Sequence, residues 1–234
     1  MKLKVVGRPL GRIEGPEKVG GQTRYTADVR LPGIIWGKCL RSPVTHARIL
    51  RVDTSRAKKL KGVRAILTGE DLPSLRVGLS LQDIPVLAQG KVRFAGEKVA
   101  AVAAENLAAA EEALSLIEVD YEELPSVFDP IKAMRPDAPL IHEELGSYKG
   151  FHHPPETIPN VFALQVWSAG DVALGFREAD VVLEHTFRTQ LAHQAYIEPH
   201  ACVVAVDSSD RVEVWASCKA PFRLKEQLSQ QLNL

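Results

Sequence analysis

Net charge is the first thing this sequence lacks. Lys and Arg number 29 and Asp and Glu number 29 among 234 residues, so the formal charge is zero. A chain with no surplus of positive charge has no global electrostatic drive toward nucleic acid or an anionic membrane surface. No nucleic-acid partner is expected. Cysteine is also scarce: Cys39, Cys202 and Cys218 are odd in number, widely spaced and free of any CxxC pair. That excludes a disulfide scaffold and an all-cysteine zinc or iron–sulfur site within the chain. It favours a reducing compartment, so a cytoplasmic location is expected. Long apolar runs are missing too, the most apolar stretch being residues 99–104, far too short to span a bilayer. The basic residues 1–4 are not followed by an apolar core with a small-residue cleavage site, so no secretory leader is expected.

What is present is ordinary for a folded chain: 45% hydrophobic and 25% charged residues, which excludes intrinsic disorder. At about 150 residues per domain, the length predicts one large domain, or one domain and part of another.

Residues 5–28 are glycine-rich, basic and aperiodic, and read as an extended lead-in. Strands are expected over 34–41, 47–52 and 63–68, with a short helix over 56–61 that Asp53 or Ser55 caps and Gly62 closes. Residues 70–90 look irregular, and strand character returns over 92–95 and 98–103, broken at Gly96. Asn106 is placed to cap a helix whose Leu107, Ala110, Leu114 and Ile117 recur at helical spacing, and a strand over 117–121 follows. The pattern predicts two β-α-β units, 47–68 and 97–121, inside one α+β domain over 15–125. Prolines at 130, 136, 139, 154, 155 and 159 predict a linker over 126–160. Beyond it, over 161–234, strands are expected at 161–167, 181–190, 201–207 and 212–217. Asp171 caps a helix to Glu178, and a last helix over 222–232 has Pro221 in its first turn.

Few residues announce chemistry. His152-His153 adjoin prolines without metal-ligand spacing, and a solvated loop is the simpler reading. His193, Glu198 and His200 form either an acid/base cluster or hydrogen-bonding ties for their loop; with no nucleophile nearby, the tie is preferred. Glu111-Glu112, Glu122-Glu123 and Glu143-Glu144 read as solvated faces. Gly7-Arg-Pro-Leu-Gly-Arg12 is not GxGxxG, and no Walker loop occurs. Cys218 and Lys219 fall between a strand and a helix, where unpaired backbone N–H groups can receive an anion or an oxo ligand, although a plain turn with a solvated lysine satisfies the same pattern.

Longer motifs go further. Gly11-Arg-Ile-Glu-Gly-Pro-Glu-Lys-Val-Gly-Gly-Gln-Thr-Arg-Tyr-Thr-Ala-Asp28 resembles the opening signature of the molybdopterin-binding (large) subunit of the xanthine dehydrogenase/aldehyde oxidase family. Further matches follow in the family's order: Leu40-Arg-Ser-Pro-Val-Thr-His-Ala-Arg-Ile49, Gly62-Val-Arg-Ala-Ile-Leu-Thr-Gly-Glu-Asp-Leu-Pro73, Val92-Arg-Phe-Ala-Gly-Glu-Lys-Val-Ala-Ala-Val102, Ala179-Asp-Val-Val-Leu-Glu-His-Thr-Phe-Arg188 and Tyr196-Ile-Glu-Pro-His-Ala201. The resemblance implies an α/β hammerhead domain over 15–125 and the beginning of a molybdenum-cofactor-binding α+β domain over 161–234. It implies the amino-terminal part of a molybdenum hydroxylase subunit that oxidises aldehydes or N-heterocycles with water as oxygen source. Molybdopterin would be held mostly by residues outside these 234. Iron–sulfur clusters and FAD would sit on partner subunits, and a separate chain could complete the cofactor domain. The family's GGGFGGK loop and its catalytic glutamate are not in this sequence, so no catalytic residue and no metal ligand is assigned. Where the family often has a glutamine in a Ser-Thr-Gln-like motif near the molybdenum oxo ligand, Ser217-Cys-Lys-Ala-Pro-Phe222 places Lys219. Lys219 is therefore the one expected cofactor-binding residue. The alternative is a non-catalytic assembly module or truncated remnant built on the same fold.

Overall fold

A computed structural model describes residues 6–73, 75–152 and 158–232. Contacts divide the chain into two compact units, one of Met1–Pro32 with Thr186–Leu234 and one of Gly33–His185.

The lead-in is not wholly extended. Pro16 starts a short helix, α1 (Gly15–Val19), and a 3₁₀ turn follows at Thr26–Asp28. Proline suits a first helical turn because its missing N–H has no helical partner there.

The second unit is built on two three-stranded antiparallel sheets. Its strands are β1 (Trp36–Arg41), β2 (Ala47–Asp53), β3 (Val63–Thr68), β4 (Arg76–Val77), β5 (Ile84–Pro85), β6 (Lys91–Val92) and β7 (Lys98–Ala104). Helix α2 (Leu107–Ser115), strand β8 (Glu118–Glu123), and the short helices α3 (Pro130–Ala133) and α4 (Val172–Glu178) follow. One sheet has the order β1-β7-β3 and the other β6-β2-β8, while β4 and β5 pair as a small hairpin. The expected β-α-β units are therefore corrected. β2 and β3 lie in different sheets, as do β7 and β8, and every pair is antiparallel. The first connection holds only a 3₁₀ turn, Ala57–Lys59, too short for a parallel crossover, which takes about a dozen residues. β8 leaves β7 because its acidic residues match basic β2: Arg48–Glu122 (2.9 Å) and Arg51–Asp120 (2.9 Å) pair across the strands, and Arg56–Glu118 (3.1 Å) extends the row.

Helix α2 packs on the β1-β7-β3 sheet. The Asn106 side chain accepts a hydrogen bond from Ala109 N–H (2.9 Å), as its position predicted. Ala110 and Ile117 are buried as expected and Leu114 packs half-buried against the core, but the buried positions of the helix are Ala109, Ala110 and Ala113, because alanine lets the helix axis approach the strands closely. Ala113 and Ile117 join Ala57, Ile66, Ala100 and Val102 in one core cluster. Ala47, Ala88, Val92 and Val99 form a second, and Val52 and Val119 pack against both.

Among its described residues, the proline-rich stretch is docked on the strands. Tyr148 is buried, the Lys149 carbonyl accepts from Gln82 N–H (2.9 Å), and Gly150, at φ +89°, lies so close to the Ser80 carbonyl that any Cβ would collide with it. Glu143 and Glu144, read as a solvated face, are more than half exposed and pair with Lys91 (2.7 Å) and Arg76 (3.3 Å).

In the first unit, β9 (Cys202–Val206) and β10 (Val212–Ala216) form an antiparallel hairpin, and α5 (Pro221–Leu232) follows. Asp207 caps the hairpin turn, accepting from Ser209 N–H (2.9 Å), Ser209 Oγ (2.6 Å) and Arg211 N–H (3.1 Å), which holds its carboxyl below the usual value. The strands expected at 161–167 and 181–190 do not form. Their alternating apolar residues have no ladder among the described residues, and Val166, Trp167, Leu183 and Phe187 are all more than three-quarters exposed. Of the helices, α4 begins as expected, with Asp171 accepting from Leu174 N–H (2.8 Å). Among the described residues, no helix is long and apolar enough to cross a membrane.

Candidate functional site

Two sequence candidates come together at the open end of the β9–β10 hairpin. The register pairs Ala216 with Cys202, so the residues just beyond, Ser217 and Ala201, face one another. Ser217 N–H donates to the Ala201 carbonyl (3.2 Å), and Ala201 N–H donates to Ser217 Oγ (3.2 Å). Ser217 Oγ in turn donates to the carbonyls of Pro199 (3.3 Å) and Ala201 (3.4 Å). One serine thus ties the Glu-Pro-His segment to the turn carrying Cys218 and Lys219.

Within the histidine loop, rings rather than ionic hydrogen bonds give the order. Tyr196 stacks on His200 with centroids 5.0 Å apart, and His193 lies 5.4 Å from Tyr196 on a tilted plane. His193 Nδ1 accepts from Ala195 N–H (3.0 Å), a turn that holds Ala195 at φ +49°. Glu198 is half-buried and makes no hydrogen bond or ion pair among the described residues, so the tie expected of it falls to Ser217. Among the described residues, no group of three or more His, Cys, Asp or Glu side chains is placed to hold a metal. His152 uses its backbone, donating to the Phe162 carbonyl (3.3 Å), while His153 lies outside the described residues.

Lys219 is exposed and forms no ion pair among the described residues. It stands two residues before Pro221 opens the twelve-residue helix α5, and Leu224 N–H is already committed to the Ala220 carbonyl. The amides nearest Lys219 precede that first helical bond, so lysine charge and helix dipole have the same sign at this turn. This donor set fits an oxo or phosphate oxygen. It supplies one contact and does not by itself enclose a cofactor. Beside the turn, an open groove of about 560 Å³ runs between β10 and α5, lined by Val212, Val214, Ala216, Cys218, Leu224 and Leu228 among others. Lys219 is not in its wall.

The sequence reading missed a second concentration of charge, in the Gly33–His185 unit. His142 Nδ1 lies 3.2 Å from Tyr148 Oη, and burial together with the nearby Arg93 guanidinium pushes the His142 pKa down to about 4. Glu97 is buried, and burial raises its carboxyl against the hydrogen bond from Arg93 N–H. The available signal was the pair of carboxylates at 143 and 144 beside a histidine in a stretch read as linker.

Comparison with known proteins finds two family matches along the chain. The family model described as "Aldehyde oxidase and xanthine dehydrogenase, a/b hammerhead domain" matches residues 20–125. The model described as "Molybdopterin cofactor-binding domain" matches residues 152–234. A probable xanthine dehydrogenase subunit of Bacillus subtilis (strain 168) is 36% identical over 219 residues, covering 93% of this chain and 28% of that protein. The carbon monoxide dehydrogenase large chain of Afipia carboxidovorans is 35% identical over 234 residues, covering 97% of this chain and 29% of that protein. A solved structure of reconstituted CO dehydrogenase from Oligotropha carboxidovorans superposes with a TM-score of 0.81 at 34% identity, covering 97% of this chain and 29% of that one. The chain thus spans less than a third of the length of these relatives. Its fold is a hammerhead domain followed by part of a molybdopterin cofactor-binding domain, and the chain belongs to the aldehyde oxidase and xanthine dehydrogenase family.

Proposed function

We propose that this chain supplies the hammerhead domain and the first part of the cofactor domain of a molybdenum hydroxylase, one that oxidises aldehydes or N-heterocycles with water as oxygen source. The observation that carries the reading is the succession of the two family matches, 20–125 and then 152–234, in a single chain. Within it, 15–125 is the hammerhead domain, 126–160 the connecting segment and 161–234 the cofactor-domain part. When bound, molybdopterin supplies the two-electron redox centre. Lys219 is the residue of this chain that reaches it, donating from Nζ to an oxo or phosphate oxygen, where a glutamine amide would donate without charge. Ser217 positions Lys219 by fixing the end of β10 against residues 199–201. Iron–sulfur and FAD subunits act as electron-carrying partners, the substrate is a small molecule, and the complex works in the cytoplasm.

The test is elemental analysis of the chain purified from its native host together with whatever co-purifies. Stoichiometric molybdenum, reduced several-fold by Lys219→Ala and largely kept by Lys219→Arg, is the expected result. Absence of molybdenum from every copurifying fraction would overturn the hydroxylase reading. Full molybdenum in the alanine variant would remove Lys219 from the site and leave the rest standing.

A further inference from the structure

The stretch over 142–151 is fastened to the hammerhead body in an unusual way. Tyr148 is its one buried side chain, with His142, Leu145 and Phe151 half-buried, and several of its anchors are ionic or polar. Lys91, itself 8% exposed, reaches Glu143 at 2.7 Å. Arg76 reaches Glu144 at 3.3 Å, donates to the Asp83 carbonyl at 3.1 Å, and lies 4.6 Å above the Tyr148 ring. Tyr148 Oη meets His142 Nδ1, and the two rings stand edge-on at 5.6 Å. The hammerhead core holds together quite differently, through Ala100, Val102, Ile66, Ala113 and Ile117.

We propose that residues 142–151 form an ionic latch that opens as a unit, ahead of the hammerhead core, when the pH falls or the salt concentration rises. The latch fastens the chain between the two family-matched segments, and its opening frees that connection while the sheets stay folded. This goes beyond the hydroxylase reading and does not depend on it.

The charges around His142 give the sign. From the strap itself come Glu143 and Glu144. From the β4–β5 hairpin come Arg76 and Asp83, and from β6 and the turn after it Lys91, Arg93 and Glu97. Three cations are thus balanced by carboxylates at neutral pH. Acidification asks His142 to become a fourth cation. The closed state resists that proton because burial and the arginines disfavour it, whereas the open state accepts it near 6.5. Between about pH 6.5 and 4 the open state therefore binds more protons, and falling pH favours opening. Salt acts on the Lys91–Glu143 and Arg76–Glu144 pairs by screening.

Hydrogen exchange of the full chain tests this, read at the amides of Leu145, Ser147, Tyr148 and Gln82, all hydrogen-bonded when the latch is closed. Corrected for intrinsic rates, their protection is expected to fall about tenfold relative to α2 and β7 between pH 7 and pH 5. The same amides should open further in 1 M salt. His142→Gln, which cannot titrate, should abolish the pH response and keep the salt response. Glu143→Gln should open the latch at pH 7 and blunt its response to salt. Equal protection of strap and core amides at both pH values would overturn the proposal, as would an undiminished pH response in His142→Gln.

Discussion

Asn106 shows how much a single side chain can decide. It sits in extended backbone immediately before α2 and satisfies an amide that the helix leaves without a partner. Replacing it with alanine exposes that amide and removes the stop between β7 and α2. Asn106→Ala should destabilise the hammerhead unit by about 1 kcal/mol, and Asn106→Asp, which keeps an acceptor and adds a favourable charge at the helix start, should not. Thermal unfolding of the two variants checks this. Contacts of this local kind were legible in advance: Asn106, Asp171 and Pro221 all stand where the spacing placed them. Ser217 was not legible in the same way. Its tie to residues 199–201 depends on the β9–β10 register, which brings together residues sixteen to eighteen positions apart. Lys219 was singled out from a resemblance, and its local setting alone would have left it an ordinary turn lysine.

Helix α2 lies on its sheet through its smallest side chains. It touches β1, β7 and β3 through alanines, and Ala110 and Ala113 are fully buried. A larger side chain there must push the helix off the sheet or adopt a strained rotamer. Ala110→Leu should therefore cost about 1–3 kcal/mol, measurable by urea denaturation, although leucine is nearly as good a helix former. The alanine face also explains why periodicity found the helix with Ala110 and Ile117 on its buried side but missed Ala109 and Ala113. Hydrophobicity ranks Leu107 and Leu114 above alanine, whereas close approach selects the smaller side chain. Strand pairing was harder still to read. Alternation locates β2, β3, β7 and β8 individually, but which strands pair depends on charge matching between β2 and β8 and on the brevity of the Ala57–Lys59 turn. Residues 161–167 and 181–190 carry the same alternation and form no strand, because alternation marks a surface that can be covered and contributes nothing to the ladder itself.

Those segments set the behaviour of the whole molecule. Val166, Trp167, Val181, Leu183, Phe187, Leu191 and Ile197 are each at least 73% exposed, close together in sequence in a chain with no net charge. Exposed apolar area of this extent, without charge repulsion to keep molecules apart, favours association. The full chain by itself should bind a hydrophobic dye and sediment as oligomers. A fragment of residues 33–151 should behave otherwise. It keeps both hammerhead sheets, α2 and the Tyr148 anchor, and it omits the exposed run. A shorter fragment over 15–130 loses Tyr148 and the Lys91 and Arg76 partners, and it retains the 3₁₀ turn at Thr26–Asp28 without the β9 strand that turn packs against. Sedimentation and thermal melting should therefore rank 33–151 as monomeric with one sharp transition, 15–130 as less stable, and the full chain as associated. A monodisperse full chain with no dye binding would mean that residues 161–200 find a cover within a single molecule, and the charge-neutral surface would then be no obstacle to solubility.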